Sequence, residues 1–285
     1  MYAFVHIERT GGSTIIAILR RSFGTGHCDI RLPLAKRRHD RPQHQLDRRV
    51  LIDAEMLRRA KRIYHHPKGI AGHNVKPYGD LGVWYPTIRF FTFIRDPGAR
   101  LRSHFLNARL ANHSRQEFER WLAAGWMHNW QTKMLTGAAD AQKAIDLLST
   151  RVEFVGLTER FDESLLMFGQ WLQEPGFCPA YRRINQLSDK RPPHEVAHLL
   201  RDTCYLDSDP VRRQIHEATA EDRKLYDFVV ATIFPRQLAA YRGDLASDVR
   251  DLRRRNACAT WFAEPRWSKV VRNYIYKPLL HCHLL

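Results

Sequence analysis

A chain of 285 residues with 44% hydrophobic content is long enough to bury a sizeable core, which argues against disorder. Its 46 Lys and Arg against 30 Asp and Glu give a formal charge of +16 and favour an anionic partner: a nucleotide, an acidic glycan, a nucleic acid or an anionic lipid surface. Five scattered cysteines without a CxxC pair argue against a disulfide framework or a zinc site and suit a reducing, cytoplasmic setting, and no window of about twenty uncharged apolar residues is present.

The chain opens on an apolar run, residues 3–7, then ERTGGST at 8–14, then a second apolar run at 15–19. That order predicts a strand, a tight loop and a helix N-terminus. First-turn N–H groups and the positive end of the helix dipole then converge on one spot, where an anion binds. Arg9 adds a full charge there, and Thr10, Ser13 and Thr14 add hydroxyls. The spacing is not GxxxxGK[ST], so an ordinary ATP or GTP loop fits poorly; a Gly-Gly turn with no ligand is the plain alternative.

Residues 31–49 are basic, carry two prolines and lack periodicity, which predicts a surface loop. A helix is expected over 50–63 and a short strand over 70–73, ending at His73 and a polar turn. TIRFFTFI, residues 87–94, is β-branched and aromatic and too apolar to be exposed on both faces, so it reads as a buried strand. Arg95-Asp96-Pro97 follows, with Asp96 as cap and proline in the first helical position. Arg95 and Ser103 are eight residues apart, close enough for both to reach one anion at the helix start, while Arg100 and Arg102 read as solvated helix residues. Further helices are expected over 115–123, 129–135 and 139–149, a strand over 152–157, and a helix from 159 onward. Tryptophans 121, 126 and 130 read as core. Strands alternating with helices argue for an α/β fold, a P-loop-like parallel sheet flanked by helices, with a largely helical C-terminal part. Ligands of such sheets sit beyond the C-terminal strand ends, which is where Arg9 to Thr14, His73, Arg95 with Ser103, and residues 158–160 collect.

These residues carry a family resemblance. FVHIERTGGST resembles the 5′-phosphosulfate loop of the Golgi-type carbohydrate sulfotransferases, usually close to HIPKTGGTS, and FIRDPGARLRSHF resembles their 3′-phosphate motif. HNWQTKMLTG at 128–137 is similar to the family's N-x-Q-T-x-x-L-x-G stretch, and VGLTERFDESL at 155–165 to its third-strand sequence. The likeness spans residues 2–188 and is nearest to the heparan sulfate and uronyl 2-O-sulfotransferase-like group, stand-alone bacterial members included.

What the resemblance implies is transfer of a sulfuryl group from 3′-phosphoadenosine 5′-phosphosulfate (PAPS) to a hydroxyl of a carbohydrate, with no metal. It places Arg9, Thr10, Gly11, Gly12, Ser13, Thr14, Arg95, Ser103, Arg183 and Asn185 at the cofactor. His73 becomes the general base, with Arg9 beside it as the second catalytic residue, and Lys76, Trp84, Tyr85 and Asn129 face the acceptor. The acceptor suggested by the charge is an anionic glycan or a glycolipid, and peripheral membrane contact stays open through the basic surface. A single domain over 1–285 is expected, with a cofactor-binding core at 1–190 and a helical extension at 191–285. Two departures stand out: Arg9 replaces the family lysine that stabilises the leaving oxygen, and Glu8 replaces a proline. Arginine keeps the charge but does not donate a proton at ordinary pH. The alternatives are a P-loop nucleotide kinase or NTPase, which wants a GK[ST] loop and an acidic Mg²⁺ ligand, and a basic nucleic-acid-binding module, which wants a zinc, RRM or helix-turn-helix signature. None of those features is evident in the sequence, and no nucleic-acid partner is expected.

Overall fold

The computed structural model describes residues 1–30, 51–64, 67–108, 112–184, 186–258 and 264–284. The basic loop at 31–49 and Asn185 lie outside the described residues. Five strands, β1 (Tyr2–Val5), β2 (His27–Asp29), β3 (Gly69–Gly72), β4 (Arg89–Ile94) and β5 (Val152–Leu157), form one all-parallel sheet in the order β2-β3-β1-β4-β5. β1 is central: Tyr2 sits between Gly69 and Arg89, and Val5 between Gly72 and Thr92. All four of its residues are buried, as a strand covered on both faces requires.

Helix α1 (Gly12–Phe23) follows β1, α2 (Ala54–Ile63) precedes β3, and the short α3 (Leu81–Trp84) precedes β4. Between β4 and β5 run α4 (Pro97–Leu106), α5 (Arg115–Ala123), α6 (Trp130–Thr136) and α7 (Ala141–Thr150); α8 (Phe161–Leu172) follows β5. The C-terminal part is helical: α9 (Pro193–Asp202), α10 (Asp209–Ala218), α11 (Ala220–Phe228) running through a π turn into α12 (Phe234–Ala239), α13 (Leu245–Cys258), and α14 (Arg266–Val271) running through a second π turn into α15 (Lys277–Leu284). One buried apolar cluster extends from Tyr2 to Leu280 and takes in Val211, Leu225, Phe234 and Leu252 of the C-terminal helices. Its centre is aromatic, with Phe91 stacked at 4.7 Å on Phe4 and 4.5 Å from Phe168. Among the described residues no helix is long and apolar enough to cross a membrane.

Chain order positions the site. From β1 the chain crosses toward β2, and from β4 it crosses the other way toward β5. Right-handed crossovers in opposite directions leave the sheet on opposite faces, so a crevice opens beyond the C-terminal ends of β1 and β4.

β2 was not expected. It has three residues, two of them polar, and gives no periodic signal. Partners settle it: His27 Nδ1 lies 2.8 Å from Tyr2 Oη, its Nε2 3.1 Å from Asp29 Oδ1, and Arg20 pairs with Asp29. Burial raises the Asp29 pKa, but the bond and charge of His27, and then Arg20, outweigh it and hold the carboxyl well below the usual carboxylate range.

Candidate functional site

The loop from His6 to Gly11 turns tightly because its backbone enters the left-handed region twice, at Arg9 (φ 69°) and Gly11 (φ 83°). Gly11 suits that conformation without penalty. Gly12 is needed for another reason: a Cβ there would lie 2.0 Å from Cδ2 of the His6 ring, so the ring packs directly on the start of α1. Thr14 and Ile15 donate their N–H groups back to the Gly11 carbonyl at 3.0 and 3.2 Å and begin the helix. Helix α4 is set as its sequence directs, with Asp96 Oδ1 accepting from Ala99 N at 2.8 Å and Pro97 opening the first turn.

Between these two helix starts lies a cavity of about 600 Å³. Arg9, Gly11, Gly12, Ser13, Thr14, Arg95, Ser103 and Arg183 all line it, so it gathers eight of the ten residues expected at a cofactor. The two motifs touch: Arg9 Nε donates to Ser103 Oγ at 3.1 Å, and Arg95 Nη1 donates to the Arg9 carbonyl at 3.3 Å. Four arginines (Arg9, Arg95, Arg102, Arg183) face one carboxylate, Glu159, which stands 3.9 Å from Arg95 Nε. Burial, then the charge of Arg95, lowers the Arg9 pKa; burial likewise lowers that of Arg95, against the pull of Glu159 and Asp96. Crowded guanidinium groups of this kind are relieved by an anion.

Thr10 is the ninth. Its side chain is fully buried and its hydroxyl donates to the Ile7 carbonyl at 2.9 Å, so it closes the loop and does not face the cavity. Thr14 Oγ1 accepts from Ile184 N at 3.2 Å, tying the segment that carries Arg183 to the loop. Phe161 and Tyr181, rings 5.0 Å apart, form an aromatic wall that no sequence motif singled out, since residue 161 falls within the helix expected from 159 onward. Arg100, expected to be solvated, is fully buried, because its position on α4 faces inward toward Asp222, where α11 packs. Its burial lowers its pKa to about 10 against the attraction of Asp222 and Glu8. Arg102 lines the cavity wall and is held by Asp207 at 2.6 Å and the Leu206 carbonyl at 2.8 Å.

His73, at the end of β3, stands beside the cavity and not in its lining. Its ring stacks on His6, centroids 4.1 Å apart, and His6 does line the cavity. His73 Nδ1 is 2.9 Å from the His6 carbonyl, an acceptor only, so that nitrogen carries a proton, and in the neutral form of the ring Nε2 is the acceptor. Glu8 Oε1 is 3.5 Å from the same Nδ1. Burial raises the Glu8 pKa, yet the charge of His73, the 2.5 Å bond from Trp130 Nε1 and the charges of His6 and Lys76 bring it down to about 2. The Glu8 and His6 roles were not read from sequence: Glu8 showed only as a departure from a proline.

None of the residues expected to face the acceptor lines the cavity. Lys76 is buried, 3% exposed, with Nζ 3.0 Å from Met134 Sδ and its charge acting on Glu8. Asn129 takes up a left-handed conformation (φ 47°), which asparagine tolerates, and its Oδ1 accepts from Glu221 N and Asp222 N at the start of α11, so it is a cap. Tyr85 Oη donates to the Ala54 carbonyl at 3.4 Å. Trp84 is 70% exposed outside the cavity. Gln131 of the same segment as Asn129 is fully buried and clamps the Arg95 backbone with two bonds, of 2.9 and 2.8 Å. Trp121 and Trp130 are buried, as expected.

No family model matches the chain, and no curated protein matches it.

Proposed function

We propose that the protein is a sulfotransferase that moves a sulfuryl group from PAPS to a hydroxyl of a carbohydrate acceptor. The observation that carries this reading is the joining of two anion sites, Arg9 with the α1 N-terminus and Arg95 with Ser103, in one cavity of about 600 Å³. A nucleotide with phosphate at both its 5′ and 3′ positions needs two such sites, and the volume lies within the usual range for such ligands. A nucleoside triphosphate puts its phosphates in one chain and asks for an Mg²⁺ ligand; the single carboxylate among the described lining residues, Glu159, already accepts from Asp96 N at 3.0 Å.

When bound, PAPS supplies the sulfuryl group, which forms an S–O bond to the acceptor oxygen as the S–O bond to the 5′-phosphate breaks. Arg9 and the first-turn N–H groups of α1 offset the charge left on that phosphate. Arg95, Ser103 and Arg183 hold the 3′ end, and Phe161 with Tyr181 gives the adenine an apolar wall. His73 takes the acceptor's proton on Nε2, and Glu8 offsets the charge that the ring then carries. The surplus of positive charge favours an anionic glycan or a glycolipid as acceptor.

The test is incorporation of radiolabelled sulfate from PAPS into a panel of acidic glycans, neutral glycans and glycolipids. Labelled product from an acidic glycan or a glycolipid with the wild type, and none with His73→Ala, is expected. Absence of transfer to every acceptor by folded protein that binds the desulfated product PAP would contradict the reading.

A further inference from the structure

The exposed large apolar side chains are not evenly spread. Trp267 (62% exposed), Val270, Tyr274 (76% exposed), Ile275 and Leu279 all lie on the single helical run formed by α14, its π turn and α15. Spacings of three and four residues keep Trp267, Val270 and Tyr274 on one side of that run. The opposite side, Ser268, Arg272, Tyr276 and Leu280, repeats every four residues and docks on the body. Arg272 Nη1 lies 3.8 Å from Asp29 Oδ2 of β2 and the Tyr276 ring is 4.3 Å from Tyr64 at the end of α2, while Ser268 and Arg272 also bond locally to Glu264 just before α14. The helix is therefore fastened along one seam, and its apolar aromatic seam faces solvent.

Cations border that seam. Arg266 and Lys269 are exposed on α14, and α15 packs against α2, whose Arg58, Arg59, Lys61 and Arg62 are exposed. Only Glu55 faces them on α2, paired with Arg58 and Arg59. Exposed aromatic and aliphatic side chains with exposed Lys and Arg on the same helical run and on the helix packed against it match the two demands of a lipid interface, an apolar boundary and anionic headgroups. A second copy of the chain is a poor occupant, because apposing the seams would bring two sets of these cations together. A soluble polyanion would satisfy the cations and leave the aromatic seam in water.

We infer that this face, the exposed side of α14 and α15 with the neighbouring cations of α2, docks the protein on the surface of an anionic bilayer. The helix lies in the interface plane with Trp267 and Tyr274 at headgroup depth and does not span. The inference does not rest on the sulfotransferase reading.

The experiment is co-sedimentation of the full chain with vesicles of phosphatidylcholine alone or with added phosphatidylglycerol, at low and raised salt, and sedimentation velocity without lipid. The expected result is binding at least roughly tenfold tighter to the anionic vesicles, weakened by salt, and reduced at least roughly tenfold in a Trp267→Glu, Tyr274→Glu double variant with an unchanged thermal midpoint. A charge reversal of both α14 cations, Lys269→Glu with Arg266→Glu, is expected to weaken binding as well. Failure to bind anionic vesicles, equal binding by the double variant, or a wild-type dimer that the double variant converts to monomer would each overturn the inference.

Discussion

Arg9, in the loop after β1, donates from Nε to Ser103 Oγ on α4 at 3.1 Å, across 94 positions of sequence. This bond joins the two segments to which the proposed function assigns the two phosphates. Hydrogen bonds that involve a charged group contribute roughly 1.5–3 kcal/mol, about ten- to a hundredfold in affinity. Arg9→Ala is expected to weaken PAP binding by that factor, whereas Arg9→Lys, which keeps the charge, stays within roughly tenfold of wild type. Titration calorimetry measures both; an Arg9→Ala protein that binds PAP as tightly as wild type contradicts the role.

Under the proposed function, variants of His73 and Glu8 are expected to separate catalysis from binding. Replacing a general base costs roughly 10²- to 10⁴-fold in rate, and neither residue lines the cavity. His73→Ala is therefore expected to lose transfer by that factor with PAP affinity unchanged. Glu8→Gln is expected to lower kcat roughly tenfold, also without loss of PAP affinity, because it acts through the imidazole. Initial rates together with PAP titrations decide the matter, and a parallel loss of affinity would point to a collapsed loop instead.

Glu8 also ties stability to pH. Its carboxyl is held down to about 2, below an unfolded value of about 4.3. A depressed carboxylate adds stability that is full above the unfolded value and is lost as pH falls toward the folded one. The stability difference between wild type and Glu8→Gln should therefore shrink as the pH falls from about 5 to about 2. Urea midpoints across that interval test it; a difference independent of pH would show that the carboxylate is not held in this way.

Gly12→Ala places a methyl 2.0 Å from the His6 ring. The ring must move, and overpacking of this kind costs roughly 1–3 kcal/mol. A lowered thermal midpoint with weakened PAP binding is expected, and a variant as stable and as tight as wild type would show that the His6 stack does not shape the loop.

Asn129→Ala is expected to cost about 1 kcal/mol of stability, the usual value of a lost cap, and to leave PAP affinity and acceptor KM unchanged. Thermal melts and steady-state kinetics check this. A raised acceptor KM at unchanged stability would return Asn129 to the acceptor site.

Much of the frame was legible in the chain. β4 and β5 announce themselves because a strand buried on both faces is written as a continuous β-branched and aromatic run, and β5 occupies the residues expected of it. The cavity residues after β1 and β4 were legible because loops that cradle anions reuse glycine, hydroxyl and arginine at helix starts. Illegible features share one cause, which is tertiary pairing. β2 is polar and is stabilised by Tyr2 and Arg20; Lys76 and Arg100 look like surface residues by type yet are buried against Glu8 and Asp222. Asn129 belonged to a motif, but its partner is a helix start some 90 residues away, which no local pattern displays.

The most direct measurement is a calorimetric comparison of PAP, 5′-AMP, 3′-AMP and Mg²⁺-ATP on the wild-type chain. Two anion sites in one cavity predict that PAP binds and that both monophosphates and ATP bind at least roughly tenfold more weakly, each lacking a phosphate that one of the sites requires. No detectable PAP binding, or ATP bound as tightly as PAP, would contradict the account.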